Sequence, residues 1–266
     1  MNVIYVDDPA DTRLSDFRAA SDPELARTRR LFIAEGRRVV QRLLTSSVFE
    51  TRAVLVTPSA MKSIEEAVAA RRGVPVYIVP KDVMDDVAGF NFHRGCLAAG
   101  ERPPRVEWRT CIAKTRRVVV LERVGDADNV GAIFRSAAAF GAGAVLLDPS
   151  CADPLYRKAI RTSMGAALMI PFAEAEPWPA MLGELAAEGW AVVALTPAVD
   201  AMPMREFSSA TRPQRVAFVL GHEGDGLTDG ALAACEYRVR IPIRPSVDSL
   251  NVATAAAIAL YELNTL

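Results

Sequence analysis

The stretch RRVVVLERVGDADNVGAIFRSAAAFGAGAVLLD, residues 116–148, decides the architecture. RRVVVLE (116–122) reads as a buried strand, NVGAIFRSAAAF (129–140) has helical spacing of its apolar residues, and AVLLD (144–148) is a second strand. The alternation continues through a helix PLYRKAIRTSMG, a short strand into Pro171, a helix PAMLGELAAEG, strands in WAVVALTP, RVAFVLGHEGDGL and YRVRIPI, and a closing helix SLNVATAAAIALYEL. Strands alternating with helices of this length predict a mostly parallel sheet covered on both faces. Gly141 and Gly143 follow a helix and precede a strand, the reverse of the dinucleotide-binding order, so a nicotinamide-dependent oxidoreductase loses most of its weight. No P-loop, Ser/His/Asp order or paired metal ligands are present.

Working outward, Arg29 to Gly100 alternates LFIAEG, RRVVQRLL, TRAVLVTP, AMKSIEEAVAARRG, VPVYIVP, KDVMDDVAGF and CLAAG, which predicts a small α/β layer structure. GERPPRVEWRT, with Pro103 and Pro104 adjacent, can continue neither a helix nor a central strand. A linker is expected over about residues 101–110, dividing the chain into 1–105 and 106–266.

The chain of 266 residues is 51% hydrophobic, enough for one large or two small cores. Cys96, Cys111, Cys151 and Cys235 lie far apart, and the histidines are His93 and His222 alone, so neither a disulfide framework nor a metal site is expected. The start MNVIYVDDPAD has no basic segment before an apolar core, and no apolar run approaches the roughly 20 residues that span a bilayer. The expectation is a reduced, cytoplasmic protein with no membrane partner. A net charge of −1 argues against holding nucleic acid through bulk electrostatics. Residues 1–105 carry 16 Lys+Arg against 14 Asp+Glu and residues 106–266 carry 15 against 18, so the first part is marginally the more basic. Of the 31 basic residues 27 are arginine, whose planar fork suits phosphate contacts and base stacking; a GC-rich genome produces the same bias.

Ligands of open parallel sheets bind beyond the carboxyl ends of the strands, and four loops there stand out. Glu122 to Gly131 leads into a helix carrying Asn129 and Arg135, which read equally as a helix cap and a solvated charge. Leu220-Gly221-His222-Glu223-Gly224-Asp225-Gly226-Leu227 has three glycines in six residues, freeing the backbone to approach a ligand, with Glu223 able to orient a partner or accept from a hydroxyl. His222, without an evident carboxylate partner, reads as structural. Ile241 to Ala253 combines prolines with small polar residues at a helix start, suited to a carboxylate or a ribose hydroxyl, with Ser249 also an ordinary cap. Leu195-Thr196-Pro197 ends a strand that lines the same crevice.

At these residues the chain resembles the SpoU (TrmH-like) branch of the SPOUT methyltransferases, and the match covers nearly its whole length. Asp128-Asn129-Val130-Gly131-Ala132-Ile133-Phe134-Arg135-Ser136-Ala137 resembles the first family motif, Leu220-Gly221-His222-Glu223-Gly224 the second, and Ile241-Pro242-Ile243 through Ser249-Leu250-Asn251-Val252-Ala253 the third. Phe32-Ile33-Ala34-Glu35-Gly36-Arg37 and Phe92-His93-Arg94-Gly95 resemble both ends of the substrate-binding domain that many members carry, with Arg94 departing from an expected glutamine. The resemblance implies a carboxy-terminal α/β trefoil-knot domain over 106–266, preceded by a small α/β RNA-binding domain. It implies a homodimer with a shared active site and transfer of a methyl group from S-adenosylmethionine to a ribose 2′-hydroxyl of rRNA or tRNA, rRNA being slightly favoured. Asn129, Arg135, Glu223, Ser249 and Asn251 are then catalytic. Thr196, Leu220, Gly221, Ile241, Leu250 and Ala253 hold the cofactor, and Arg37, Arg38 and Arg94 contact RNA. The Ala-rich last helix serves equally as dimer surface or core. A guanidinium, with a pKa above about 12, is a donor and a poor base, which assigns Arg135 to RNA phosphate or ribose and to developing negative charge. The rival reading is an RNA-binding protein of the same fold without turnover.

Overall fold

Five strands form the first sheet: β1 (Asn2–Tyr5), β2 (Leu31–Glu35), β3 (Thr51–Val56), β4 (Pro75–Ile78) and β5 (Cys96–Glu101), in the order β1-β4-β3-β5-β2. The β1, β4 and β3 pairings are parallel, whereas β5 runs antiparallel to both β3 and β2. Helices α1 (Asp22–Glu24), α2 (Arg37–Thr45), α3 (Pro58–Ala70) and α4 (Lys81–Ala88) accompany it. α2 buries Val39, Val40, Leu43 and Leu44 on one stripe, as the 3.6-residue period requires. α3 starts where Thr57 accepts from the Ala60 N–H and Pro58 occupies the first turn. Gly100 is needed for packing: a Cβ there would lie 2.2 Å from the Phe32 ring.

The computed structural model describes residues 2–18, 21–211 and 214–264, with the Asn264 side chain outside that description. Seven strands make the second sheet: β6 (Arg117–Leu121), β7 (Ala144–Leu147), β8 (Phe172–Glu174), β9 (Ala191–Leu195), β10 (Met202–Pro203), β11 (Val216–Leu220) and β12 (Tyr237–Arg240). Their order is β10-β12-β9-β11-β6-β7-β8 and every pairing is parallel. Along the chain after Pro104 the helices are α5 (Trp108–Ile112), α6 (Ala127–Phe140), α7 (Arg157–Thr162), α8 (Ala180–Ala187), α9 (Met204–Thr211), α10 (Asp229–Ala234) and α11 (Val252–Asn264). One face of the sheet, including Val118, Val120, Leu146, Val192, Ala217 and Val219, shares a core with Trp108, Met181, Leu185 and Trp190. α11 packs on α6, with the Phe140 and Tyr261 rings edge to face at 5.8 Å and Arg117 donating to the Leu263 carbonyl at 3.0 Å. Parallel strands send the loops after β6, β9, β11 and β12 out of one edge of the sheet.

Contacts divide the chain into Met1–Pro104 with Pro154–Met169, and Arg105–Asp153 with Ile170–Leu266. A cut near 105 therefore describes the boundary except for residues 154–169, which the sequence reading assigned to the second part. Local bonds explain the difference: the Arg157 N–H donates to Asp22 at 2.9 Å, Arg42 to the Met164 carbonyl at 2.7 Å, and the Val48 N–H to the Leu168 carbonyl at 3.2 Å. Beside the helices and strands expected from the sequence stand β1, β10, α1, α5, α9 and α10. β1 and β10 span four residues and two, α5 five, and α9 follows MP in a stretch without clear periodicity. The closing helix begins at Val252 rather than Ser249. No helix among the described residues is long and apolar enough to cross a membrane.

Candidate active site

Asn129 owes its position to the turn after β6. Asp126 is the cap of α6 and accepts from the Asp128 N–H at 3.0 Å, which leaves Asn129 in the first helical turn with 9% of its surface exposed. Asn129 is therefore a buried side chain inside the helix, not its cap. Its Nδ2 donates to Glu223 Oε1 at 2.5 Å, and its Oδ1 accepts from Asn251 Nδ2 at 2.9 Å. Asn251 Nδ2 also lies 2.9 Å from Glu223 Oε1, closing a three-membered polar cluster drawn from the loops after β6, β11 and β12.

Asn251 is fixed from its other end. Its Oδ1 accepts from the N–H groups of Ala253 at 3.0 Å and Thr254 at 3.2 Å, so Asn251 is the cap of α11. The cap expected at Ser249 is thus supplied two residues later. Ser249 is exposed and not joined to the cluster, and Asp248 and Leu250 flank it in an irregular segment. Arg135 is also exposed on α6, outside the cluster. The structure thus unites Asn129, Glu223 and Asn251 and leaves Arg135 and Ser249 apart from them.

The loop carrying Glu223 is closed on itself. The Gly226 N–H donates to the His222 carbonyl at 2.9 Å, and His222 Nδ1 accepts from the N–H groups of Gly224 at 3.0 Å and Asp225 at 3.2 Å. His222 is occupied in holding the turn, consistent with the structural reading. A Cβ on Gly221 would lie 2.4 Å from the backbone of Gly226, so only glycine lets the two limbs approach this closely. Arg123, in the left-handed region at φ 55°, reaches Asp225 at 3.0 Å and links this loop to the one after β6.

Of the expected cofactor residues, Leu220 is buried at the end of β11, and Ile241 and Leu250 are half-buried in the segment after β12. Partly uncovered apolar side chains beside glycine and polar loops fit an adenosine with an attached amino acid, which needs both an apolar floor and backbone hydrogen bonds. Thr196 follows β9, its N–H donating to the Val239 carbonyl at 3.0 Å and its hydroxyl accepting from Ala198 at 3.3 Å. Ala253 is buried and gives its N–H to Asn251.

In the first unit, Arg37 and Arg38 are exposed at the start of α2, and Arg94 lies 3.5 Å from Glu35. Cations at a helix amino terminus face the positive end of its dipole, a placement that folding alone disfavours. Burial pushes the thiols of Cys96, Cys111 and Cys235 up to about 12, about 11 and about 12, and Cys151 up as well, so none offers a thiolate nucleophile near neutral pH.

Sequence reasoning missed Glu122. It ends a run of apolar strand residues, is 1% exposed, and accepts from Trp178 Nε1 at 2.8 Å, the Thr228 N–H at 2.8 Å and the Thr228 hydroxyl at 2.7 Å. A lone carboxylate closing the buried strand VVVL was the available signal.

Comparison with known proteins places this geometry in context. Residues 116–261 match the profile of the SpoU rRNA Methylase family. An uncharacterized tRNA/rRNA methyltransferase of Mycobacterium tuberculosis is 44% identical, with 98% of this chain and 92% of that one covered. A 23S rRNA (guanosine(2553)-2'-O)-methyltransferase of Bacillus subtilis is 27% identical over 87% of this chain and 88% of its own. Among solved structures, an rRNA methyltransferase from Sinorhizobium meliloti with AdoMet bound superposes with a TM-score of 0.82 at 25% identity, covering 100% of this chain and 98% of that one.

Proposed function

The chain belongs to the SpoU rRNA methylase family, and on that premise we propose that it transfers a methyl group from S-adenosylmethionine to a ribose 2′-hydroxyl of ribosomal or transfer RNA. The observation that carries this reading is the Asn129, Glu223 and Asn251 cluster, because it assembles the three resembled motifs at one edge of the sheet. The choice of a ribose oxygen draws support from the name of the Bacillus subtilis relative.

S-adenosylmethionine supplies an electrophilic methyl group on a sulfonium; the chain must hold the hydroxyl, direct its lone pair and receive its proton. Asn129 and Asn251 spend their amides on one another, on Glu223 and on the α11 cap, so they act by holding Glu223 in place. Glu223 receives both amides on Oε1, which leaves Oε2 as the acceptor for the ribose hydroxyl hydrogen. Leu220, Gly221, Ile241, Leu250, Thr196 and Ala253 would hold the donor. Ser249, exposed in the same segment, would meet the substrate sugar.

Arg135 is read as a second-copy contribution. Its helix exposes Arg135, Ala138 and Ala139, and α11 exposes Tyr261, a mostly small and apolar surface suited to a homodimer in which Arg135 of one copy serves the cluster of the other. This arrangement, a trefoil knot after β12 and a cytoplasmic location all belong to the proposal. Arg37, Arg38 and Arg94 would engage RNA from the first unit. The test is incubation of the purified chain with ribosomal and transfer RNA and labelled S-adenosylmethionine. Label in alkali-resistant dinucleotides supports ribose methylation, label in bases alone sinks it, and donor binding without label on any RNA favours the inactive alternative.

A further inference from the structure

We propose that Glu122 is the positioning residue of the donor loop, fastening both ends of residues 221–227 and so setting where Gly221 and Glu223 stand. The inference rests on reading this loop as part of a methyl-transfer site. Glu122 itself touches neither donor nor RNA.

At the loop entrance, the Glu122 N–H donates to the Leu220 carbonyl at 2.8 Å. At the exit, Glu122 Oε2 accepts from the Thr228 N–H at 2.8 Å and Oε1 from the Thr228 hydroxyl at 2.7 Å. Thr228 then caps α10, its Oγ1 accepting from the Ala231 N–H at 3.3 Å. One residue on the neighbouring strand end thus secures both limbs of the loop, and the third donor, Trp178 Nε1 at 2.8 Å, reaches the carboxylate from outside the loop while both Thr228 bonds hold it.

Between these anchors the loop has little freedom, since its limbs meet at Gly221 and Gly226 and its turn is closed through His222. A closed loop held at its base moves as a unit, so a shift at Thr228 is passed to Glu223 at the tip. Asn129, which Glu223 contacts, hangs from the same β6 to α6 connection as Glu122. Glu122 therefore ties the two walls of the site to one point.

The identity of the side chain agrees with that role. Burying a carboxylate is costly, and a leucine would fill the space more cheaply. Among the described residues Glu122 has no Lys or Arg partner; it is satisfied by three donors, two of them on the residue that ends the loop.

The test compares Glu122→Gln, Thr228→Val and Trp178→Phe in the full chain, measuring S-adenosylmethionine affinity by calorimetry and the thermal midpoint without donor. Losing a buried charge-assisted bond on the loop should raise the donor Kd of Glu122→Gln about tenfold, whereas Trp178→Phe, off the loop, should stay within about threefold. A Glu122→Gln chain that unfolds earlier yet binds the donor within twofold of the parent would reduce Glu122 to a structural residue and overturn the proposal. Should Glu122→Gln not fold, Thr228→Val decides: weakened donor binding supports the anchor, and unchanged binding overturns it. A parent chain that takes up no S-adenosylmethionine would instead sink the methyl-transfer reading, and this inference with it.

Discussion

Asn251 Nδ2 donates to Asn129 Oδ1 across 2.9 Å, joining residues 122 positions apart, and both amides converge on one oxygen of Glu223. Asn129→Asp would replace the donor facing Glu223 by an oxygen of like charge. With both carboxylates ionised their repulsion opens the cluster, and the proton that restores a hydrogen bond between them is taken up only as the pH falls, though at a higher pH than by an isolated carboxylate. Methyl transfer should be lost near neutral pH and return in part as the pH falls. A pH-rate profile of Asn129→Asp parallel to that of the parent would break the link between the cluster and turnover.

Gly221 and Gly224 should respond oppositely to alanine. At Gly221 the new Cβ meets the Gly226 backbone at 2.4 Å, and backbone cannot step aside. At Gly224 the nearest atoms are in the His222 ring at 3.5 Å, an ordinary contact. Donor affinity should fall by about tenfold or more in Gly221→Ala, the equivalent of an overpacking strain of 1–3 kcal/mol, and stay near the parent value in Gly224→Ala. Equal behaviour of the two variants in calorimetry would refute the close approach of the limbs.

A substitution in the first sheet separates the two units. Gly100→Ala drives a methyl into the Phe32 ring and should cost roughly 1–3 kcal/mol in stability there. Thermal unfolding should begin earlier while S-adenosylmethionine affinity below the transition is retained. Loss of donor binding in folded Gly100→Ala would show that the units do not act separately.

Arg37 and Arg38 stand where a helix dipole disfavours cations, so removing them should leave stability unchanged or raise it by about 0.3–1 kcal/mol per residue. If they meet phosphates, each alanine should also lower the salt dependence of RNA binding by about one unit of slope. Unaltered RNA affinity across a salt series would remove both from the RNA surface.

The parallel second sheet was legible because residues 116–148 alternate strand, helix and strand with unambiguous periods. Asn129, Glu223 and Asn251 were legible as motif members, although their contacts span two long separations that no local pattern reports. The placement of β11 between β6 and β9 was not legible, because strand order depends on non-local pairing. Ser249 misled because serine before an apolar run is a good cap, yet Asn251 lies closer to the helix and its side chain reaches two N–H groups. Glu122 escaped because its partners, Trp178 and Thr228, lie 56 and 106 residues away. Residues 154–169 read as part of the second unit because sequence order says nothing of Asp22 and Arg42, the residues that hold them.

Arg135 carries the last prediction because it stands outside the cluster it is meant to serve. Arg135→Ala should leave donor affinity nearly unchanged while single-turnover transfer falls by about 10²–10³, the usual loss for one positioned charge-stabilising group. If α6 only exposed a solvated charge, alanine would be almost neutral for stability and activity. Mixing separates a site within one chain from one shared by two. When Arg135→Ala and Asn129→Ala chains are unfolded together and refolded, random pairing in a twofold dimer makes half the dimers mixed, each with one intact shared site, so activity should return to about a quarter of the parent value. If both residues act within one chain, every site in the mixture lacks one of them and nothing returns. Activity no greater than that of the separate variants, in a mixture shown to contain mixed dimers, would end the reading of Arg135 as a contribution from the second copy.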